Sequence, residues 1–61
     1  MHKLLLTVNE AAALLGVGRT TVYDLIRANR LEAVQIGRSR RVPRAAVLAY
    51  VDRLRGEGEA A

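Results

Sequence analysis

The chain is 61 residues long, with ten Lys and Arg against six Asp and Glu, no cysteine, and Tyr23 and Tyr50 as its only aromatic residues. A chain this short forms one domain and buries only about 60% of its unfolded surface, so its core is a small cluster of Leu, Val, Ile and Ala with no room for an enclosing substrate pocket. Disulfide frameworks and Cys-based zinc sites are excluded, the lone His2 reads as a solvated terminal residue, and no apolar run is long enough for a membrane span or a signal-peptide core.

The first element is announced by Thr7-Val8-Asn9-Glu10, a T-x-x-E capping box in which hydroxyl and carboxylate each satisfy the other residue's backbone N–H. The spacing predicts a helix over residues 8–15, with Val8, Ala11, Ala12 and Leu15 on its inner face. Gly16 ends it by accepting a left-handed conformation. Gly16-Val17-Gly18 is a tight turn with one apolar residue expected to be buried between two glycines.

A second helix is predicted over 19–28, with Val22, Leu25 and Ile26 inward and Arg19, Thr20, Tyr23, Asp24 and Arg27 outward. Asn29 suits the position just past its end, since Asn tolerates positive φ. From Leu31 the period changes to two. Residues 33–42 read as a β-hairpin turning at Gly37-Arg38-Ser39, with Val34 and Ile36 on one face and arginines at the tip. Pro43 then precedes a third helix over 44–55, whose core face is Val47, Tyr50, Val51 and Leu54. Residues 56–61 carry two glycines and no apolar period, and are expected to form a disordered tail to a domain of residues 1–55.

Two short helices joined by a glycine turn, with small Ala12 at their crossing and Val22 and Leu25 directed into the interface, make a helix-turn-helix. A structural αα-hairpin would share those apolar positions. It would not require Arg19-Thr20-Thr21 at the head of the second helix, nor an arginine-tipped hairpin after it. The charge has the same bias. Residues 1–18 set Lys3 against Glu10, residues 19–44 set seven Arg against Asp24 and Glu32, and residues 45–61 set Arg53 and Arg55 against Asp52, Glu57 and Glu59. The whole net charge of +4 therefore comes from the central stretch. A basic stripe of this kind is the electrostatic footprint of a nucleic-acid partner, although a solvated basic face without a partner would look the same by charge alone.

The run Leu6-Thr7-Val8-Asn9-Glu10-Ala11-Ala12, the segment Val17-Gly18-Arg19-Thr20-Thr21-Val22-Tyr23, and the pieces Ile36-Gly37-Arg38 and Arg41-Val42-Pro43 resemble the excisionase-family DNA-binding domain. This is a small winged relative of the MerR helix-turn-helix group, and the resemblance covers about residues 4–54. It implies a mainly α fold with a small β-hairpin, a winged helix-turn-helix. It also implies a recognition helix in the major groove of double-stranded DNA and a hairpin wing in or beside the minor groove. Carried over by position, the DNA-facing residues are Arg19, Thr20, Thr21, Tyr23 and Arg27 from the second helix. Arg38, Ser39, Arg40 and Arg41 belong to the wing. Arg40 stands where the family more often has an aromatic residue, which adds a cation near the groove.

The functional expectation is a DNA-binding protein of the excisionase type that bends attachment-site DNA, self-associates on adjacent sites and directs a tyrosine or serine integrase toward excision. The alternatives are a small transcription regulator built on the same domain and a protein-interaction module with a basic surface. No nucleophile–base pair, metal-ligand cluster or phosphate-cradling loop is present, so no enzymatic activity, cofactor or metal is expected. Gly56 and Gly58 oppose a coiled coil, so neither a dimerisation helix nor a sensor domain is expected after the third helix. The expected location is cytoplasmic, on bacterial nucleoid DNA.

Overall fold

The computed structural model describes residues 3–60, with side chains through Glu57; Met1, His2 and Ala61 lie outside the described residues. Its elements are β1 (Leu5–Leu6), α1 (Val8–Leu15), α2 (Arg19–Arg27), β2 (Val34–Ile36), β3 (Ser39–Pro43) and α3 (Arg44–Ala60). The fold is a winged helix-turn-helix, in which β2 and β3 form the wing.

The capping box forms as the sequence predicts. The Thr7 hydroxyl accepts from the Glu10 N–H at 3.0 Å, and a Glu10 carboxylate oxygen accepts from the Thr7 N–H at 2.9 Å. The other Glu10 oxygen receives the Lys3 ammonium at 2.7 Å. These donors, Lys3 foremost and the Thr7 N–H next, lower the Glu10 pKa from an ordinary 4.5 to about 2. The unfolded chain therefore binds more protons than the native one between those values, and this contribution to stability is lost as pH falls from about 4.5 toward 2. Urea midpoints measured from pH 7 to pH 2 should decline more steeply for the wild type than for Glu10→Gln across that window. The difference should shrink in high salt, because the Lys3–Glu10 pair is exposed.

Helices α1 and α2 end in the same way. At the end of α1, Gly16 has φ +73°, its N–H donates to Ala13 at 3.3 Å, and the Val17 N–H donates to Ala12 at 3.0 Å. At the end of α2, Asn29 has φ +60°, its N–H donates to Ile26 at 3.1 Å, and the Arg30 N–H donates to Leu25 at 2.9 Å. Both are Schellman closures, in which a left-handed residue turns two N–H groups back onto free carbonyls. The closure at Gly16 leaves Val17 at 40% exposure, so Val17 is not the buried turn residue expected from its two glycine neighbours.

The hairpin needs only two connecting residues, because Ile36 pairs with Ser39 across the turn. Gly37 takes φ +60° while Arg38 keeps a negative φ, the pattern of a type II′ turn, whose twist matches that of the flanking strands. The sheet has one strand more than expected. β1 pairs with β3 antiparallel, Leu5 opposite Pro43 and Leu6 opposite Val42, giving the order β1-β3-β2. Pro43 therefore closes β3 as well as preceding α3, and the Arg44 N–H donates to the Leu4 carbonyl at 2.8 Å.

The core consists of Leu6, Val8, Ala11, Ala12, Val22, Leu31, Val42 and Val47. Leu15, Tyr23, Leu25, Ile26, Ala46 and Tyr50 pack partly buried around it. One sequence expectation is corrected here. On α3, Val47 is buried and Tyr50 half-buried, but Val51 and Leu54 are 37% and 41% exposed and lie outside the core cluster. On the hairpin, Ile36 is 58% exposed, since the wing extends past the helices that cover its base.

Helix α3 also does not end at Arg55. It runs to Ala60, through residues expected to be disordered. Once a helix is nucleated, each further residue adds a hydrogen bond, and Gly costs only about 1 kcal/mol relative to Ala. The extension is also tied down by side chains. The Arg30 guanidinium donates to both Glu57 carboxylate oxygens at 3.2 and 3.3 Å, and Arg53 donates to the Arg30 carbonyl at 3.4 Å.

Candidate nucleic-acid interface

Two surfaces carry the residues singled out from the sequence, and they meet along α2. The first is an open cleft of about 370 Å³ between the start of α1, the head of α2 and the wing. Arg19 and Tyr23 line it from α2, Arg38, Ser39, Arg40 and Arg41 from the wing, and Thr7, Val8 and Asn9 from α1. The second is the outward face of α2. At about 100° per residue, Thr20, Asp24 and Arg27 fall on one line opposite Val22, Leu25 and Ile26. Thr21 is exposed on the flank of α2 away from the cleft.

The cleft side chains are held in different ways. Tyr23 is half-buried against the core and presents its hydroxyl outward. The Arg19 guanidinium lies 5.5 Å from the Tyr23 ring centroid and donates to the Tyr23 hydroxyl at 3.3 Å. A cation over an aromatic face is attracted by the ring quadrupole, so Arg19 is oriented by Tyr23. Arg41 is half-buried and donates to the Arg40 carbonyl at 3.0 Å. At the tip, the Gln35 side chain donates to the Gly37 carbonyl at 3.2 Å and braces the turn. Neither Thr20 nor Thr21 caps α2: its N-cap is Gly18, with no side-chain hydrogen bond. The N–H groups at the head of α2 therefore face outward without a side-chain acceptor.

The distribution of carboxylates separates the two surfaces. Among the described residues, Glu10 pairs with Lys3, Asp24 with Arg27, and Glu57 with Arg30. Among the described residues Arg19, Arg38, Arg40 and Arg41 have no such partner, and no acid lines their cleft. Four guanidiniums sharing one concave surface without a counter-charge are unfavourable together in low salt and favour an anion between them. Arg also matches phosphate geometry by forked donation. Sequence reasoning missed Thr7 and Asn9 as cleft residues. The Thr7 hydroxyl is already committed to the cap, whereas Asn9 is an exposed polar side chain in the first turn of α1, a signal that was available.

Among the described residues no cluster of His, Cys, Asp and Glu could hold a metal ion, and no helix is long and apolar enough to cross a membrane.

A small core carrying a protruding helix and a basic β-wing defines this molecule as a winged helix-turn-helix protein. Comparison with known proteins places it further. Residues 5–55 match the family described as "Helix-turn-helix domain". The chain is 51% identical over 53 residues to "Excisionase" of Streptomyces ambofaciens, an alignment covering 87% of this chain and 86% of that protein. It is 48% identical over 60 residues to "Probable excisionase" of Saccharopolyspora erythraea, covering 98% of this chain and 61% of that longer protein. No solved structure matches it significantly. The chain belongs to the excisionase family of DNA-binding helix-turn-helix domains.

Proposed function

We propose that this protein binds double-stranded DNA sequence-specifically and acts as an excisionase. In this reading α2 enters the major groove and the wing lies in or beside the adjacent minor groove. Arg19, Thr20, Thr21, Tyr23, Arg27, Arg38, Ser39, Arg40 and Arg41 make the contacts. The observation that carries the reading is the carboxylate-free cleft, in which four arginines from two elements share one surface beside the exposed face of α2. Phosphate contacts from the cleft set the register, and the outward face of α2 is left to read base edges.

A single module of this size covers only about 600–1,000 Å² of its own surface on DNA and reads few base pairs. Function therefore comes from several copies side by side on attachment-site DNA, bending it so that a tyrosine or serine integrase excises. The protein itself performs no catalysis and needs no cofactor, and it works in the cytoplasm on nucleoid DNA. Gel-shift titration on one binding site and on two tandem sites tests the cooperative part. Affinity per site should rise on the tandem duplex, and equal affinity on both would remove self-association from the proposal.

A further inference from the structure

The residue at the centre of the exposed face of α2 is an acid. Asp24 stands between Thr20 and Arg27 on the line opposite the buried side of the helix. A free carboxylate there would be repelled by the phosphates of any duplex that α2 approached. Asp24 is not free, because the Arg27 guanidinium donates to its carboxylate. Both side chains are well exposed, at 72% and 59% for Arg27 and Asp24, so the pair is presented to solvent rather than buried as a structural bridge.

The contrast with the cleft gives the pair its meaning. The cleft arginines have no carboxylate among the described residues, while the one cation on the outward line of α2 is neutralised. Affinity for DNA of any sequence scales with cations delivered to phosphates. Discrimination comes from donors delivered to base edges, above all Arg to guanine. A guanidinium has five N–H donors, so one engaged by Asp24 still offers others to a base, but with its charge offset.

We infer that Asp24 is a specificity-determining residue: by pairing with Arg27 it withholds that cation from the phosphate backbone and orients it for base edges. The inference rests on the proposal above that α2 faces the major groove.

The test uses a pool of random duplexes of about 20 base pairs, and a second pool enriched from it by the wild-type protein. Both are titrated over a salt series with wild type, Asp24→Asn, Arg27→Ala and the double variant, with circular dichroism confirming the fold. Asp24→Asn should bind the unselected pool about fivefold more tightly at 0.15 M salt, with a salt slope steeper by about one. Its preference for the enriched pool should fall about tenfold. In the Arg27→Ala background, Asp24→Asn should leave the slope unchanged. An unchanged slope in the single variant would overturn the inference. So would an equal gain in the Arg27→Ala background, which would make Asp24 a source of plain repulsion. If the wild type binds neither pool, the underlying DNA-binding proposal fails as well; if wild type binds and only the Asp24→Asn effects are missing, this inference alone fails.

Discussion

Replacing Arg38, Arg40 and Arg41 together by alanine should weaken binding to every DNA sequence by a similar factor and flatten its salt dependence. Each phosphate contact contributes about 0.9 to the slope of log affinity against log salt. At 0.15 M salt that corresponds to about fivefold in affinity per contact, so three contacts amount to roughly a hundredfold and a slope loss near three. The effect should be uniform across sequences, because backbone contacts position a protein without reading bases. Arg38 and Arg40 are exposed, so the loss cannot be traced to the core, and circular dichroism on the half-buried Arg41 position controls for folding. Salt-dependent fluorescence titrations with two unrelated duplexes make the comparison. A slope equal to that of the wild type would show that the wing does not touch phosphate.

The largest effect on stability is expected in the core that α1 and α2 share. Ala11 is fully buried and Val22, also fully buried, occupies the facing helix. Leucine at position 11 would add three carbons where a methyl group already completes the packing, and overpacking of this kind costs about 1–3 kcal/mol. A domain of this length holds only about 3–9 kcal/mol in all, at 0.05–0.15 kcal/mol per residue. Ala11→Leu should therefore lower Tm by about 5–20 °C, since 1 kcal/mol shifts a small domain by about 4–8 °C. Because the crossing also sets the angle at which α2 protrudes, DNA affinity should fall even below Tm. A melting point within 2 °C of the wild type, measured by calorimetry, would mean that the two helices can separate freely to admit the larger side chain.

Much of the fold was legible in the sequence, because its signals are local. The capping box spans four residues, and the glycine and asparagine closures depend on one backbone angle each. The exposed polar face of α2 follows from a 3.6-residue period. What went unread depends on partners distant in the chain. Leu5 and Leu6 gave no strand signal, being too few to show alternation, and became a strand only by pairing with Val42 and Pro43. Leu31 lies in the loop between α2 and β2 and Val42 near the end of β3, yet both are buried in the core. Val51 and Leu54 had the periodicity of a core face, but burial requires a covering surface, and periodicity carries no information about one.

The charge distribution followed the same division. The sequence alone determined that the excess positive charge lies in residues 19–44, that a helix with an arginine–threonine head occurs there, and that a glycine-turned hairpin follows. Each is a matter of composition or short-range steric preference. Only the tertiary structure decided which cations are free. It paired Arg30 with Glu57, whereas Arg27–Asp24 is a local pair three residues apart on α2, and it gathered Arg19, Arg38, Arg40 and Arg41 around a cleft that no acid lines among the described residues. Charge sums along a chain ignore distance, whereas Coulomb attraction at a few ångströms depends on little else. The fold therefore brings the arginines at the head of α2 and on the wing around one cleft.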